Sequence, residues 1–197
     1  QVFKRSILNG LAQEIQRQYV SQGRYGASVE VDSESKPRNR VALNIEIDEG
    51  EVAVIDNINI VGNKTFSDEE ILKVFELGTG GWFSFITNDD RYSREKLKGD
   101  IESLTSFYKN RGYVEFTLDS SQVTITPDKK SVFITLNVIE GETYEIDEIN
   151  IAGDFPIDEE ILRSLIFIQP GDTFSQYYVT EIEELFTNIL GNEGYSF

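Results

Sequence analysis

The sequence predicts an α+β fold: a tandem of small domains, each β-α-α-β-β, with a three-stranded mixed sheet packed on two helices. Three observations predict it. First, Ile55-Asp56-Asn57-Ile58-Asn59-Ile60-Val61-Gly62 returns 91 residues later as Ile146-Asp147-Glu148-Ile149-Asn150-Ile151-Ala152-Gly153, and Gly50/Gly141 and Val41/Val132 keep that spacing. A period of this length is one small domain rather than a solenoid turn. Second, segments of helical periodicity are followed by pairs of alternating segments, in the same order each time. Third, Glu49-Gly50-Glu51 and Glu140-Gly141-Glu142 punctuate the copies as short joints. Residues 1–50 read as the back part of one copy, 51–141 as a complete copy and 142–197 as the front part of another.

The complete copy opens with a strand over about Val52 to Val61. Ile58 and Ile60 face one way and Asn57 and Asn59 the other, the period of a half-buried strand, and Gly62-Asn63 turns the chain. Ser67 caps a helix with Glu70 at the capping-box position, and Asp68, Glu69 and Glu70 favour its positive end. Ile71, Leu72 and Phe75 form the buried stripe. In the next copy Asp158-Glu159-Glu160 is expected to do the same ahead of Ile161, Leu162 and Leu165, after a turn one residue shorter.

A second helix begins near Ser93. Leu97, Ile101, Leu104 and Tyr108 fall at helical spacing, and Gly112 stops it. Its counterparts are Ile7, Leu11, Ile15 and Tyr19 with Gly23, and Val179, Ile182, Phe186 and Leu190 with Gly194. Two strands follow. In the first copy Tyr25, Ala27, Val29 and Val31 alternate, Lys36-Pro37-Arg38-Asn39 turns, and Val41, Leu43, Ile45 and Ile47 alternate back. In the complete copy the return strand is Val132, Ile134, Leu136 and Val138.

The outgoing strand of the complete copy breaks parity. Val114, Phe116 and Leu118 occupy even positions, whereas Val123 and Ile125 occupy odd ones. Side chains alternate with period 2, so one face holds both sets only if a residue is inserted. This predicts a β-bulge near Asp119-Ser120-Ser121; the alternative is a strand that changes faces, with Val123 and Ile125 partly exposed. Bulges favour sheet edges, where unpaired N–H and C=O groups accept an added strand or where the bulge only blunts aggregation.

Composition narrows the function. Apolar residues are 39% and charged residues 27% of the chain, which suits a folded protein. The net charge of −17 repels phosphate backbones, so nucleic acid is not an expected partner. With no cysteine and no histidine, disulfides, thiol chemistry, the usual zinc sites and imidazole-based catalysis are excluded. The acidic triplets at predicted helix starts are explained by the dipole. Asn88-Asp89-Asp90 lacks the spaced calcium-loop pattern and reads as a helix cap. Gly78-Thr79-Gly80-Gly81 has no Lys-Ser/Thr after it, so it is no phosphate loop. The neighbouring Trp82, Phe83, Phe85 and Ile86 read as a lid on the core or as a second contact surface. The expectation is a scaffold, not an enzyme, with no cofactor and no metal.

The β-α-α-β-β unit, with Gly at the joint and Ile-x-Ile-x-Gly-Asn after the first strand, resembles the POTRA (polypeptide-transport-associated) domain. Pro37-Arg38-Asn39-Arg40-Val41, Ile58-Asn59-Ile60-Val61-Gly62-Asn63 and Thr126-Pro127-Asp128-Lys129-Lys130 resemble the periplasmic part of the Omp85 family of outer-membrane assembly factors. The resemblance covers the whole chain and implies that residues 1–50 belong to the second POTRA domain of such a string, 51–141 to the third and 142–197 to the fourth. It implies a periplasmic scaffold, anchored in the outer membrane by a C-terminal β-barrel outside these residues. Such a scaffold binds unfolded outer-membrane proteins and accessory lipoproteins by strand addition. A BamB-like lipoprotein is expected at the edge strand of the third domain. The partner-binding segment is thereby placed at Asp119, Ser120, Ser121, Gln122, Val123, Thr124 and Ile125, with Val123 and Ile125 as anchors. The alternatives are a POTRA string of a two-partner secretion or organellar import transporter with one dedicated client, and a spacer with no partner edge.

Overall fold

The computed structural model describes residues 5–38, 40–79, 90–153 and 157–192. Gly80, Gly81, Trp82, Phe83, Phe85, Ile86, Asn88 and Asp89, as well as Asn39 and Gly194, lie outside the described residues. Contacts divide the chain into two compact units, 1–60 with 75–100 and 121–136, and 61–74 with 101–120 and 137–197.

The first copy supplies helix α1 (Arg5–Ser21) and the antiparallel hairpin β1 (Ser28–Lys36) and β2 (Arg40–Asp48). The register runs from Ser28 opposite Asp48 to Lys36 opposite Arg40, and Arg38 in the connecting turn has φ +67°. The middle copy follows the expected order: β3 (Val54–Val61), α2 (Asp68–Leu72), α3 (Arg94–Lys109), β4 (Thr117–Ile125) and β5 (Ser131–Ile139). Its mixed sheet has the order β3-β5-β4, so β5 is central. The third copy supplies α4 (Glu159–Ser164) and α5 (Gln176–Asn192).

The middle copy forms largely as the pattern dictates, but of the stripe expected for α2 only Ile71 is buried: Leu72 and Phe75 are half-buried, and Phe75 lies beyond the end of the helix. Val132, Ile134, Leu136 and Val138 of β5 are all buried, as are Ile55, Ile58 and Ile60 of β3. Ile55 and Ile58 are of opposite parity, with Asp56 and Asn57 exposed between them, so β3 carries its own shift of face. Ser67 and Glu70 form the capping box of α2, and Ser93 Oγ accepts from Lys96 N at the start of α3. Leu97, Leu104, Phe107 and Tyr108 seal the inner face of α3. Tyr108 stacks on Phe116 at 4.2 Å, and Phe66 meets Phe107, Tyr108 and Tyr113 edge-on. Gly62 has φ +101°, and a Cβ there would run into the Val138 carbonyl oxygen, so the turn after β3 requires glycine.

The partial copies depart from expectation in three places. In α1, Ile7 and Leu11 lie exposed and Leu8 is the buried residue. The helix packs on a two-stranded sheet that leaves part of its apolar stripe uncovered. In the third copy, residues 142–153 form no strand; their one sheet-like contact is the Glu145–Thr173 bridge. A strand like β3 depends on pairing with a central strand such as β5, and the described residues of this copy provide none. Third, Ile161 is 53% exposed and Leu162 is buried. Asp158 is the cap, 91 residues after Ser67, so the cap follows the turn glycine at the same distance in both copies and not one residue sooner.

Glu140 closes the middle copy. Its carboxylate accepts hydrogen bonds from Lys64 N (2.9 Å), Thr65 N (3.1 Å), Thr65 Oγ1 (3.2 Å) and Tyr108 OH (2.9 Å). Burial opposes the charge, yet these donors outweigh it and hold the carboxyl below the usual glutamate range. A lowered folded pKa adds stability that is complete above the unfolded carboxylate pKa and lost as pH falls through the folded value. Glu140→Gln should therefore cost about 1–3 kcal/mol in urea unfolding at neutral pH. The variant should also lose less stability than the native chain on acidification. Equal loss in both would remove Glu140 from the acid limb.

Candidate docking edge

Because β5 is central, β3 and β4 are the two edges of the sheet. They are not equally open. At the start of β3, Ile55 N donates to Asp90 O at 2.7 Å and Val54 bridges Arg91, so the segment before α3 covers that border. The outer side of β4 has no strand partner among the described residues. A row of main-chain donors and acceptors on such an edge is a template for another strand.

The structure places all seven expected residues on β4. Asp119, Ser120, Ser121 and Gln122 are exposed in succession, Thr124 is exposed, and Val123 and Ile125 are half-buried. Leu118 is also half-buried, so burial changes parity between Leu118 and Val123. Ser120 Oγ accepts from Asn137 Nδ2 of β5 at 2.9 Å, a side-chain tie across the pair. Beyond Ile125 the hairpin turns tightly: Thr126 N donates to Ser131 O, and Lys129 takes φ +64°.

Val123 and Ile125 are half-buried because they line a groove of about 440 Å³. Its other walls are Arg17, Val20 and Ser21 at the end of α1, Tyr25 just after it, and Tyr92, Arg94 and Glu95 at the start of α3. The rings of Tyr25 and Tyr92 lie 6.2 Å apart. Burial, with Tyr92 alongside, pushes the Tyr25 hydroxyl up to about 12, and burial raises Tyr92 as well. Both phenols stay neutral at ordinary pH. Sequence reasoning singled out Val123 and Ile125 but missed the rest of the groove; the one available signal was that two apolar residues had left the parity of their strand.

The joint beside this groove is built from main-chain groups. Ala53 N donates to Gly23 O at 2.9 Å, and Arg24 Nη1 donates to Gly50 O at 2.7 Å. The next joint repeats the first contact, with Tyr144 N donating to Gly112 O at 2.9 Å. Gly23 and Gly112 both have positive φ, and in each a Cβ would press on the following copy.

Asp100 is buried, and burial raises its carboxyl against the pull of two backbone donors, Glu76 N and Leu77 N. It anchors the chain that leaves α2. Among the described residues no group of acidic side chains is arranged to hold a metal ion, and no helix is long and apolar enough to cross a membrane.

A family model, POTRA, described as surface antigen variable number repeat, matches residues 1–50, 53–141 and 144–197. The chain belongs to the POTRA family. It is 27% identical over 198 residues to the outer membrane protein assembly factor BamA of Neisseria meningitidis serogroup B, covering 100% of this chain and 25% of that protein. It is 30% identical over 194 residues to BamA of Buchnera aphidicola, covering 98% of this chain and 31% of that protein. The chain thus spans under a third of the length of these relatives. Among solved structures it resembles the Haemophilus influenzae BamA fragment POTRA3-5, with a TM-score of 0.53 and 19% identity, covering 95% of this chain and 69% of that one. That likeness establishes the fold, and the POTRA resemblance read from the sequence is borne out.

An open edge has a measurable signature. In amide hydrogen exchange followed by NMR, β5 amides should be protected throughout, whereas roughly every second amide of β4 should exchange fast. Continuous protection along Thr117–Ile125 would close the edge.

Proposed function

We propose that this chain is a periplasmic segment of an outer-membrane β-barrel assembly machinery and works as a non-enzymatic scaffold. On this reading residues 1–50, 51–141 and 142–197 belong to the second, third and fourth POTRA domains of the string. A C-terminal β-barrel outside these residues anchors it in the outer membrane. The reading is supported by similarity to BamA proteins over the full chain. The observation that carries the mechanism is the unpaired outer side of β4.

Strand addition follows from that edge. Backbone hydrogen bonds are indifferent to side-chain identity, so the edge holds many unfolded β-rich clients weakly. A dedicated partner gains affinity from anchors as well, and Val123 and Ile125 provide a half-buried apolar pair beside the exposed backbone of Asp119–Gln122. A BamB-like accessory lipoprotein fits this second mode. The acidic chain has nothing to offer a nucleic acid.

Val123→Asp and Ile125→Asp test the assignment. Each should reduce recovery of the accessory lipoprotein in a pull-down by about tenfold or more while leaving the circular dichroism spectrum unchanged. Asn59→Asp, at an exposed position of β3 on the other border of the sheet, serves as a charge control and should recover the lipoprotein normally. Undiminished recovery with both β4 variants would exclude β4 as the docking strand.

A further inference from the structure

We propose that the groove at the end of β4 is a side-chain socket that selects which strand pairs there: an extended segment with a large apolar residue and an acidic one two positions away. The inference rests on the strand-addition reading of β4 and assigns the chemistry of what is added. Strand addition alone needs only backbone. The socket adds a reason for preference.

The floor is apolar. Val123 and Ile125 share one face of β4, and Val20, Tyr25 and Tyr92 stand across from them. On an added strand, residues two apart fall on one face and lie beside the residues of the strand they join. A side chain next to Val123 or Ile125 therefore overhangs this floor. A volume of about 440 Å³ accommodates a Phe or Trp side chain, within the ~300–1,000 Å³ of clefts that hold small ligands.

The charge at the groove runs against the rest of the chain. The whole protein has 35 acidic and 18 basic residues, yet among the residues lining the groove two are basic, Arg17 and Arg94, and one is acidic, Glu95. Glu95 accepts from Ser93 Oγ at 2.9 Å and keeps its charge, so the lining carries one net positive charge. Arg17 pairs with Glu14 at 3.3 Å, an exposed contact within α1 that solvent weakens. The neutral phenols of Tyr25 and Tyr92 add no opposing charge. An acidic side chain on the incoming strand is repelled by most of this surface and attracted at this place.

One wall belongs to the end of α1 and the other to β4. The socket therefore exists only where the first copy's helix end meets the middle copy's strand, held by the Gly23–Ala53 and Arg24–Gly50 hydrogen bonds. Binding at β4 thereby depends on residues of α1 as well as on the strand itself.

The test uses the whole chain and fluorescein-labelled ten-residue peptides of alternating Thr and Val with a central Phe-Thr-Glu, which puts Phe and Glu on one face. Anisotropy gives affinity, and amide shifts in ¹⁵N-labelled protein give the place. The Phe-Thr-Glu peptide should shift residues of β4 together with Val20, Tyr25 and Tyr92. Replacing its Phe by Ala or its Glu by Lys should weaken it about tenfold. Val20→Trp, which fills the socket, should do the same. Arg17→Glu, at a side chain 71% exposed and far from the core, repeats the test without risk to folding. Equal affinity for all three peptides, with shifts confined to β4, would overturn the socket and leave strand addition standing. Shifts at Val20 and Tyr25 with none on β4 would overturn strand addition. No shifts at all would overturn both.

Discussion

The structure depends on one buried carboxylate. Glu140 stands at the end of the central strand and gathers donors from the turn after β3 and from α3, so three separate pieces of the middle copy converge on two oxygens. Gly141 follows at once with φ +77°, which starts the next copy. A charged group in this position is worth keeping only when its lone pairs are filled, because an unpaired one carries the full cost of burial. Here four donors fill them. The first copy repeats the pairing in a looser form. Tyr19 OH reaches Glu49 at 3.4 Å and Arg24 lies 3.5 Å from the same carboxylate, both near solvent. The same Tyr and Glu positions thus yield a firm closure where a turn supplies amides and a screened surface contact where none does.

With β5 fixed at the centre, the fate of the two edges is decided by what lies next to them. The approach to α3 covers the start of β3 through Asp90 and Arg91. Nothing in the described residues does this for β4. The asymmetry does not come from the strands' own composition, since β3 is the more apolar of the two and β4 the more polar. Among the described residues it comes from Asp90 and Arg91, just before α3, which lie along the border of β3. The border that remains open also carries the polar run Asp119–Gln122, which needs no cover.

Much of this was legible in the sequence, and the failures have a common cause. The middle copy's strands and helices follow from period, caps and turn glycines because each of its elements meets the partners its pattern anticipates. Ile7 and Leu11 have the right spacing and the wrong exposure, and residues 146–151 have a strand pattern without a strand. Periodicity states which face an element would bury; only a partner buries it. The length of the turn before Asp158 was misjudged for a different reason. Three acids in a row match the earlier triplet by eye, whereas the residue that caps is Asp158, in register with Ser67 and not with Asp68. The groove was out of reach because Arg17, Tyr25, Tyr92 and Val123 belong to four separate segments.

An unpaired strand is a hazard to its owner, and β4 manages that hazard by composition. Its central stretch is Asp119, Ser120, Ser121 and Gln122, all exposed, where an aggregating edge would be flat and apolar. A second copy of the chain brings a net charge of −17 to the encounter and is repelled as a whole. The apolar pair Val123 and Ile125 is displaced by one parity step from Leu118, so the strand presents no continuous greasy face along its length. What survives these defences is a short border that rejects its own kind by charge and offers main-chain hydrogen bonds to others. The repulsion is general and the attraction local, at the groove flanked by Arg17 and Arg94. Under the proposed strand addition, selectivity arises because a suitable partner is the strand least penalised by the rest of the surface, which is specificity by exclusion as much as by fit.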